Sequence, residues 1–153
     1  MLPTPKKFTM VAGSGEGNTA LTAFDSALLN AGVGNLNLIK VSSILPPKAE
    51  YRAELQIPPG SLVPTAYGTI YSQNPGEIIS AAVAVGIPEG DTFGVIMECA
   101  GIYRKEEIEE HIKNMVNEAF KIRNLALKEV KVCAAEHEVI CCGSAFAGVI
   151  LWF

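Results

Sequence analysis

The chain has 153 residues, 49% of them hydrophobic, and 12 Lys and Arg against 16 Asp and Glu give it a formal net charge of -4. That length buries one core, which excludes a two-domain organisation. The acidic balance, without any Lys/Arg cluster, excludes a phosphate-tracking nucleic-acid surface, and no run reaches the roughly 18 apolar residues that a membrane helix requires.

The N-terminal "MLPTPKK" lacks the apolar segment of a secretory leader, so a cytoplasmic location is expected. "KFTMVAG" reads as a first strand. "GSGEGN", residues 13 to 18, lies between that strand and a helix, where a dinucleotide loop would sit. Asn18 replaces the last glycine of the fingerprint and no phosphate-loop lysine is present, so a tight strand-to-helix turn is expected and no nucleotide. "TALTAFDSALLNAG" is a helix with Asn18 or Thr19 near its N-cap and Gly32 as its stop.

"LNLIKVS" reads as a strand that breaks into a proline-rich loop at "SSILPP". Three strand-length segments follow, "SLVPTAYGTIYS", "EIISAAVAVGI" and "TFGVIMECA", divided by "QNPG" and "PEGD" turns. Periodicity alone leaves the middle one ambiguous, but Pro75 and Pro88 with Val and Ile between them favour a strand.

Ile108, Ile112, Met115, Val116, Ala119 and Phe120 recur at helical spacing, and Glu106, Glu107, Glu109 and Glu110 load the front of that helix as a solvated face. "EVKVCAAEH" and the uncharged tail "VICCGSAFAGVILWF" add further strands, the tail reading as a buried strand pair. The whole pattern predicts an α+β fold, sheets inside and helices outside, and its apolar content suggests subunits that bury surface against one another. Cys99, Cys133, Cys141 and Cys142 show no CxxC spacing, with only His111 and His137 available to join them. Reduced thiols are expected, with no metal site and no disulfide.

Ser42 and Ser43 stand at the strand break. Turn serines ordinarily bond local backbone. The alternative is a hydroxyl placed by a sharp turn to attack the preceding carbonyl, converting the amide to an ester. β-Elimination would then break the chain and leave dehydroalanine, which hydrolyses with loss of ammonia to a pyruvoyl group.

The segments "VAGSGEGNTALTAFDSALLNAGVGNLNLIKVSSILPP", "LVPTAYGTIYSQNPGE", "ISAAVAVGIP", "GVIME" and "FAGVILWF" closely resemble the pyruvoyl-dependent arginine decarboxylases of archaea and some bacteria, almost end to end. The resemblance implies self-cleavage between Ser42 and Ser43 of a single domain spanning residues 1 to 153. A β chain of residues 1 to 42 and an α chain of residues 43 to 153, with pyruvoyl at position 43, would result. It further implies a four-layer αββα sandwich with mostly antiparallel sheets, and trimers, singly or paired, with active sites between neighbouring subunits. The implied reaction is decarboxylation of L-arginine to agmatine. Pyruvoyl would do the work of pyridoxal phosphate, which explains a sequence without a phosphate cradle or a Schiff-base lysine.

Three further residues take roles from the resemblance. Alternation in "FGVIMECA" puts Glu98 on one face with Gly94 and Ile96, among apolar neighbours, where a carboxylate either pairs with an Arg or Lys or, desolvated, suits a proton donor; the family's matching glutamate is the proposed donor. Asp25 stands on the apolar side of its helix by its spacing from Leu21 and Leu28. A buried carboxylate needs a partner, and the matching aspartate binds the substrate guanidinium, a fork suited to bidentate pairing. Asn37 matches an asparagine implicated near the reacting serine, where it would orient the scissile carbonyl or the substrate. Two alternatives stay open: the same machinery acting on another amino acid such as histidine or aspartate, of which Asp25 disfavours the acidic one, and an unprocessed paralogue serving as a structural or regulatory subunit.

Overall fold

The computed structural model describes residues 1–153. The elements in chain order are β1 (Lys7–Glu16), α1 (Ala20–Asn30), β2 (Asn37–Lys40), β3 (Ile44–Leu45), β4 (Glu50–Tyr51), β5 (Leu62–Ser72), β6 (Ile78–Pro88), β7 (Gly94–Gly101), α2 (Lys105–Ile122), β8 (Leu127–Glu138) and β9 (Gly143–Trp152). They form an α+β fold of two sheets. One has the order β2-β5-β9-β1-β4 and the other β3-β7-β6-β8. Pairing is antiparallel except for β1 with β4 and β2 with β5. No helix is long and apolar enough to cross a membrane.

The near-continuous apolar run of β6 follows from burial on both faces. Ala81, Val83 and Val85 meet Ala145, Ala147 and Val149 of β9 in the core between the sheets, while Ala82 and Ala84 meet Ile108, Ile112, Val116 and Phe120 of α2. Each such valine or isoleucine, removed from water, contributes about 1.5–3 kcal/mol. β9 is buried the same way, with Phe146 and Ile150 turned toward Ala27 and Leu28 of α1. The uncharged tail is therefore one central strand preceded by a turn, rather than the strand pair expected, because two covered faces demand apolar residues at successive positions.

α1 begins where Thr19 and Thr22 cap each other: the Thr19 hydroxyl accepts the Thr22 N–H at 3.1 Å and the Thr22 hydroxyl accepts the Thr19 N–H at 3.0 Å. Gly32 ends it with φ of +85°, a conformation that favours glycine. The glycine-rich segment before it departs from expectation. β1 continues through Gly13 and Gly15 to Glu16, and only Gly17, Asn18 and the cap Thr19 lie between strand and helix. The reason is close packing: a Cβ on Gly13 would stand 2.5 Å from the Ala31 nitrogen and 2.7 Å from the Ala27 oxygen of the overlying helix. Two-residue strands β3 and β4, inside the proline-rich stretch, were not expected. They exist because Ile44 pairs with Val95 and Glu50 with Lys7, partners distant in sequence.

Candidate active site

β2 is an edge strand of the five-stranded sheet and β3 is an edge strand of the four-stranded sheet. Residues 41 to 43 carry the chain across between them. The Val41 N–H donates to Thr65 O at 3.1 Å, the final rung on one sheet, and Ser43 O accepts the Ile96 N–H at 2.7 Å, the first rung on the other. The Ser42–Ser43 peptide is thus held from both ends across the gap between two sheets.

Neither Ser42 nor Ser43 engages its hydroxyl with another group of the chain, whereas Ser61 and Ser72 do, to Pro58 O and Glu77 Oε1, both at 2.6 Å. The ordinary turn role, a hydroxyl satisfying local backbone, is filled at Ser61 by Pro58 O and at Ser72 by the Asn74 N–H it accepts at 3.1 Å, and is left unfilled at the pair. The two line a cleft of about 220 Å³ with Ile96, Met97 and Glu98 of β7.

The β7 ladder sets what faces this cleft. Ile96 packs in the inter-sheet core while Val95 packs toward α2, so alternation puts Glu98, paired with Val83, on the side of Gly94 and Ile96. The apolar seclusion expected of Glu98 is incomplete. Its side chain is 29% exposed, and its Oε1 lies 3.6 Å from Lys40 Nζ, a cation on the other sheet. Lys40 also sits 4.9 Å from the centre of the Tyr67 ring on β5. Beside Glu98, burial pushes the Cys99 thiol up, with the Ala100 backbone hydrogen bond offsetting part of that rise. Cys99 packs on the α2 side of β7 and does not line the cleft, which leaves the serine hydroxyls as the nucleophiles there.

Asp25 lies elsewhere. The buried face of α1 is Ala23, Ala27 and Leu28, and Asp25 is exposed, without an ion pair or a side-chain hydrogen bond. Leu21 and Leu29, four residues to either side on the same stripe, are 74% and 52% exposed. The apolar side that the spacing assigned to Asp25 is thus an outward stripe, a leucine on each flank of a carboxylate. Asn37 lies at the far end of β2, about 16 Å of extended strand from Ser42. Its amide donates to Gly60 O at 2.9 Å. Lys40 and Tyr67 went unremarked in the sequence, although Lys40 is the one charge in the apolar run "LNLIKVSS".

Two sheets packed face to face, a seryl–seryl bond bridging their edges and a carboxyl beside it define the class of pyruvoyl-dependent amino-acid decarboxylases. The fold is shared with the solved structure of pyruvoyl-dependent histidine decarboxylase at pH 8, at a TM-score of 0.52 and 14% identity over 63% of this chain and 52% of that one. Within the class, the chain belongs to the pyruvoyl-dependent arginine decarboxylase family, whose model matches residues 7–150. It is 49% identical to the pyruvoyl-dependent arginine decarboxylase of Methanocaldococcus jannaschii over 97% of this chain and 91% of that protein. It is 50% identical to that of Pyrococcus furiosus over 87% and 85%. The residues present fit the family's pyruvoyl group: Ser43 carries a free hydroxyl, and the peptide that joins it to Ser42 is anchored on both sides.

Proposed function

We propose that this protein decarboxylates L-arginine to agmatine and carbon dioxide, with a covalent pyruvoyl group that it makes from Ser43 by breaking its own Ser42–Ser43 bond. The observation that carries the reading is the suspended peptide: a serine pair with free hydroxyls, whose flanking Val41 N–H and Ser43 carbonyl are held by two different sheets. The Ser43 oxygen attacks the Ser42 carbonyl carbon, the carbon–nitrogen bond breaks, and the hydroxyl proton passes to the freed amine, leaving an ester. Elimination expels the Ser42 carboxylate and leaves dehydroalanine at position 43. One water enters, one ammonia leaves, and the carbonyl remains.

That group supplies an electron-poor carbonyl that takes up the substrate α-amine and accepts the electrons released with carbon dioxide. Glu98, on the cleft wall, is the group that delivers a proton to the former α-carbon. Asp25 pairs with the substrate guanidinium, a match of a carboxylate to a planar donor fork. Asn37, whose amide is fixed by Gly60, acts as an orienting group.

Asp25 and Asn37 stand outside the cleft that their own chain lines, which agrees with a four-layer αββα sandwich assembled into trimers whose active sites lie between neighbours. The exposed Leu21 and Leu29 beside Asp25, Leu62 opposite Asn37, and Ile39 and Ile44 around the crossover are the apolar surface that such a neighbour would cover. In this reading the mature unit is a β chain of residues 1 to 42 and an α chain of residues 43 to 153.

Intact mass of the purified protein tests the proposal. Two chains are expected, the larger lighter by one ammonia than residues 43 to 153 with a serine terminus. Ser43→Ala should stay a single, inactive chain. A wild-type chain that decarboxylates arginine while intact, or a Ser43→Ala chain that still splits at that bond, would overturn it.

A further inference from the structure

Glu98 makes one ion pair within the chain, with Lys40. The Lys40 ammonium lies 3.6 Å from Glu98 Oε1 on β7 and 4.9 Å from the Tyr67 ring centre on β5. Tyr67 is itself held among aromatic rings, its centre 5.5 Å from that of Phe146 and 6.4 Å from that of Phe24. Two strands from opposite sheets therefore locate this cation, three residues before the bond to be broken. With 54% of its side chain exposed, the pair adds little to folding stability. Its effect falls instead on geometry. A glutamate at the edge of an open cleft is free to turn, and a cation pinned on the opposite sheet restricts where its carboxyl points.

We infer that Lys40 is a positioning residue, which through its pairing with Glu98 aims that carboxyl at the former α-carbon of the substrate. The inference rests on Glu98 being the proton donor. Aim matters because two carbons compete for the proton once carbon dioxide has left. Protonation of the former α-carbon releases agmatine and restores the cofactor. Protonation of the cofactor carbon, followed by hydrolysis, transfers the amino group to position 43. Arginine and pyruvoyl then become carbon dioxide, 4-guanidinobutanal and an alanine at position 43. The water lost in joining amine to carbonyl is the water regained on hydrolysis, so no further reactant is needed.

Lys40→Met, Lys40→Arg and Glu98→Gln, alone and Lys40→Met with Glu98→Gln, test this. Chain masses report cofactor formation without substrate. N-terminal sequencing after many turnovers reports alanine at position 43, since a pyruvoyl terminus is blocked and alanine is not. Lys40→Met should split into the same two chains as wild type, keep its KM, lose about 10- to 100-fold in kcat and accumulate the alanine. Lys40→Arg should restore turnover and suppress the alanine. In the double variant, Lys40→Met should cost nothing beyond Glu98→Gln. A Lys40→Met enzyme with wild-type turnover and no alanine would overturn the inference. So would one that remains a single chain, because Lys40 would then serve processing or folding. Glu98→Gln with wild-type turnover would instead remove the proton donor itself.

Discussion

Glu16 ties the turn that carries the chain from β8 on one sheet to β9 on the other to the end of β1, and its removal tests how that end of the molecule is held. One carboxylate oxygen accepts the Cys141 and Cys142 N–H groups at 2.8 and 3.1 Å, and the other lies 2.5 Å from His137 Nε2 and 3.3 Å from the Ile140 nitrogen. Desolvation by itself would raise its pKa. The hydrogen bonds from His137, Cys141 and Ile140 together outweigh that and hold the carboxyl below its ordinary value. The Glu16→Gln amide keeps one acceptor oxygen but turns an NH₂ donor toward groups that donate. Two charge-assisted hydrogen bonds, at about 1.5–3 kcal/mol each, are spoiled. With the side chain 25% exposed, solvent screening removes about half of that, leaving a cost of about 1.5–3 kcal/mol at neutral pH. For a domain of this size the midpoint should fall by roughly 4–10 °C. Because the folded pKa lies below the unfolded one, this stabilisation is present above the unfolded value and is lost as pH falls through the folded value. Calorimetry in the Ser43→Ala background, where a single chain is expected, should show the gap between the protein that keeps Glu16 and its Glu16→Gln variant narrowing through the acid range. A midpoint difference below about 1 °C at neutral pH, or one that stays constant as pH falls, would refute the assignment.

Glu98→Gln should process into two chains and then lose about 10²- to 10⁴-fold in kcat, the scale of a missing general acid; steady-state agmatine production beside an intact-mass spectrum checks both halves. Asp25→Asn should raise the apparent KM for arginine. If solvent bathes the pair, the cost is about 1 kcal/mol or less, and if a neighbouring subunit covers it, about 2–5 kcal/mol. Light scattering on the same sample separates the two cases, and the large loss in a monomeric protein would contradict the arrangement proposed.

Where local chemistry decided the structure, the sequence was legible. Thr19 and Gly32 bound α1 because a cap and a left-handed stop act within a few residues. Asp25 was misplaced because α1 carries leucines on more than one side: Leu28 is buried while Leu21 and Leu29 are exposed. A helix with apolar residues facing both its own sheet and outward has no single inward face to read from spacing.

The candidate site depends on pairings that no local pattern encodes. The serine pair at a strand break was visible, but the break is a crossing between sheets only because β2 pairs with β5 and β3 pairs with β7. Register then decides the chemistry. β7 pairs with β6 so that Val83 opposes Glu98 and Val85 opposes Ile96, which puts Ile96 in the inter-sheet core and Glu98 at the cleft. A slip of one residue would turn Glu98 toward the apolar surface of α2 and bring Met97 and Cys99 round to the serines. What opposes that slip is the cost of trading Ile96, fully buried between the sheets, for a neighbour shaped for the helix side. The packing of Ile96 is thus what holds the carboxyl beside the Ser42–Ser43 peptide, and Lys40, reaching over from the other sheet, acts on a side chain whose face the core has already chosen.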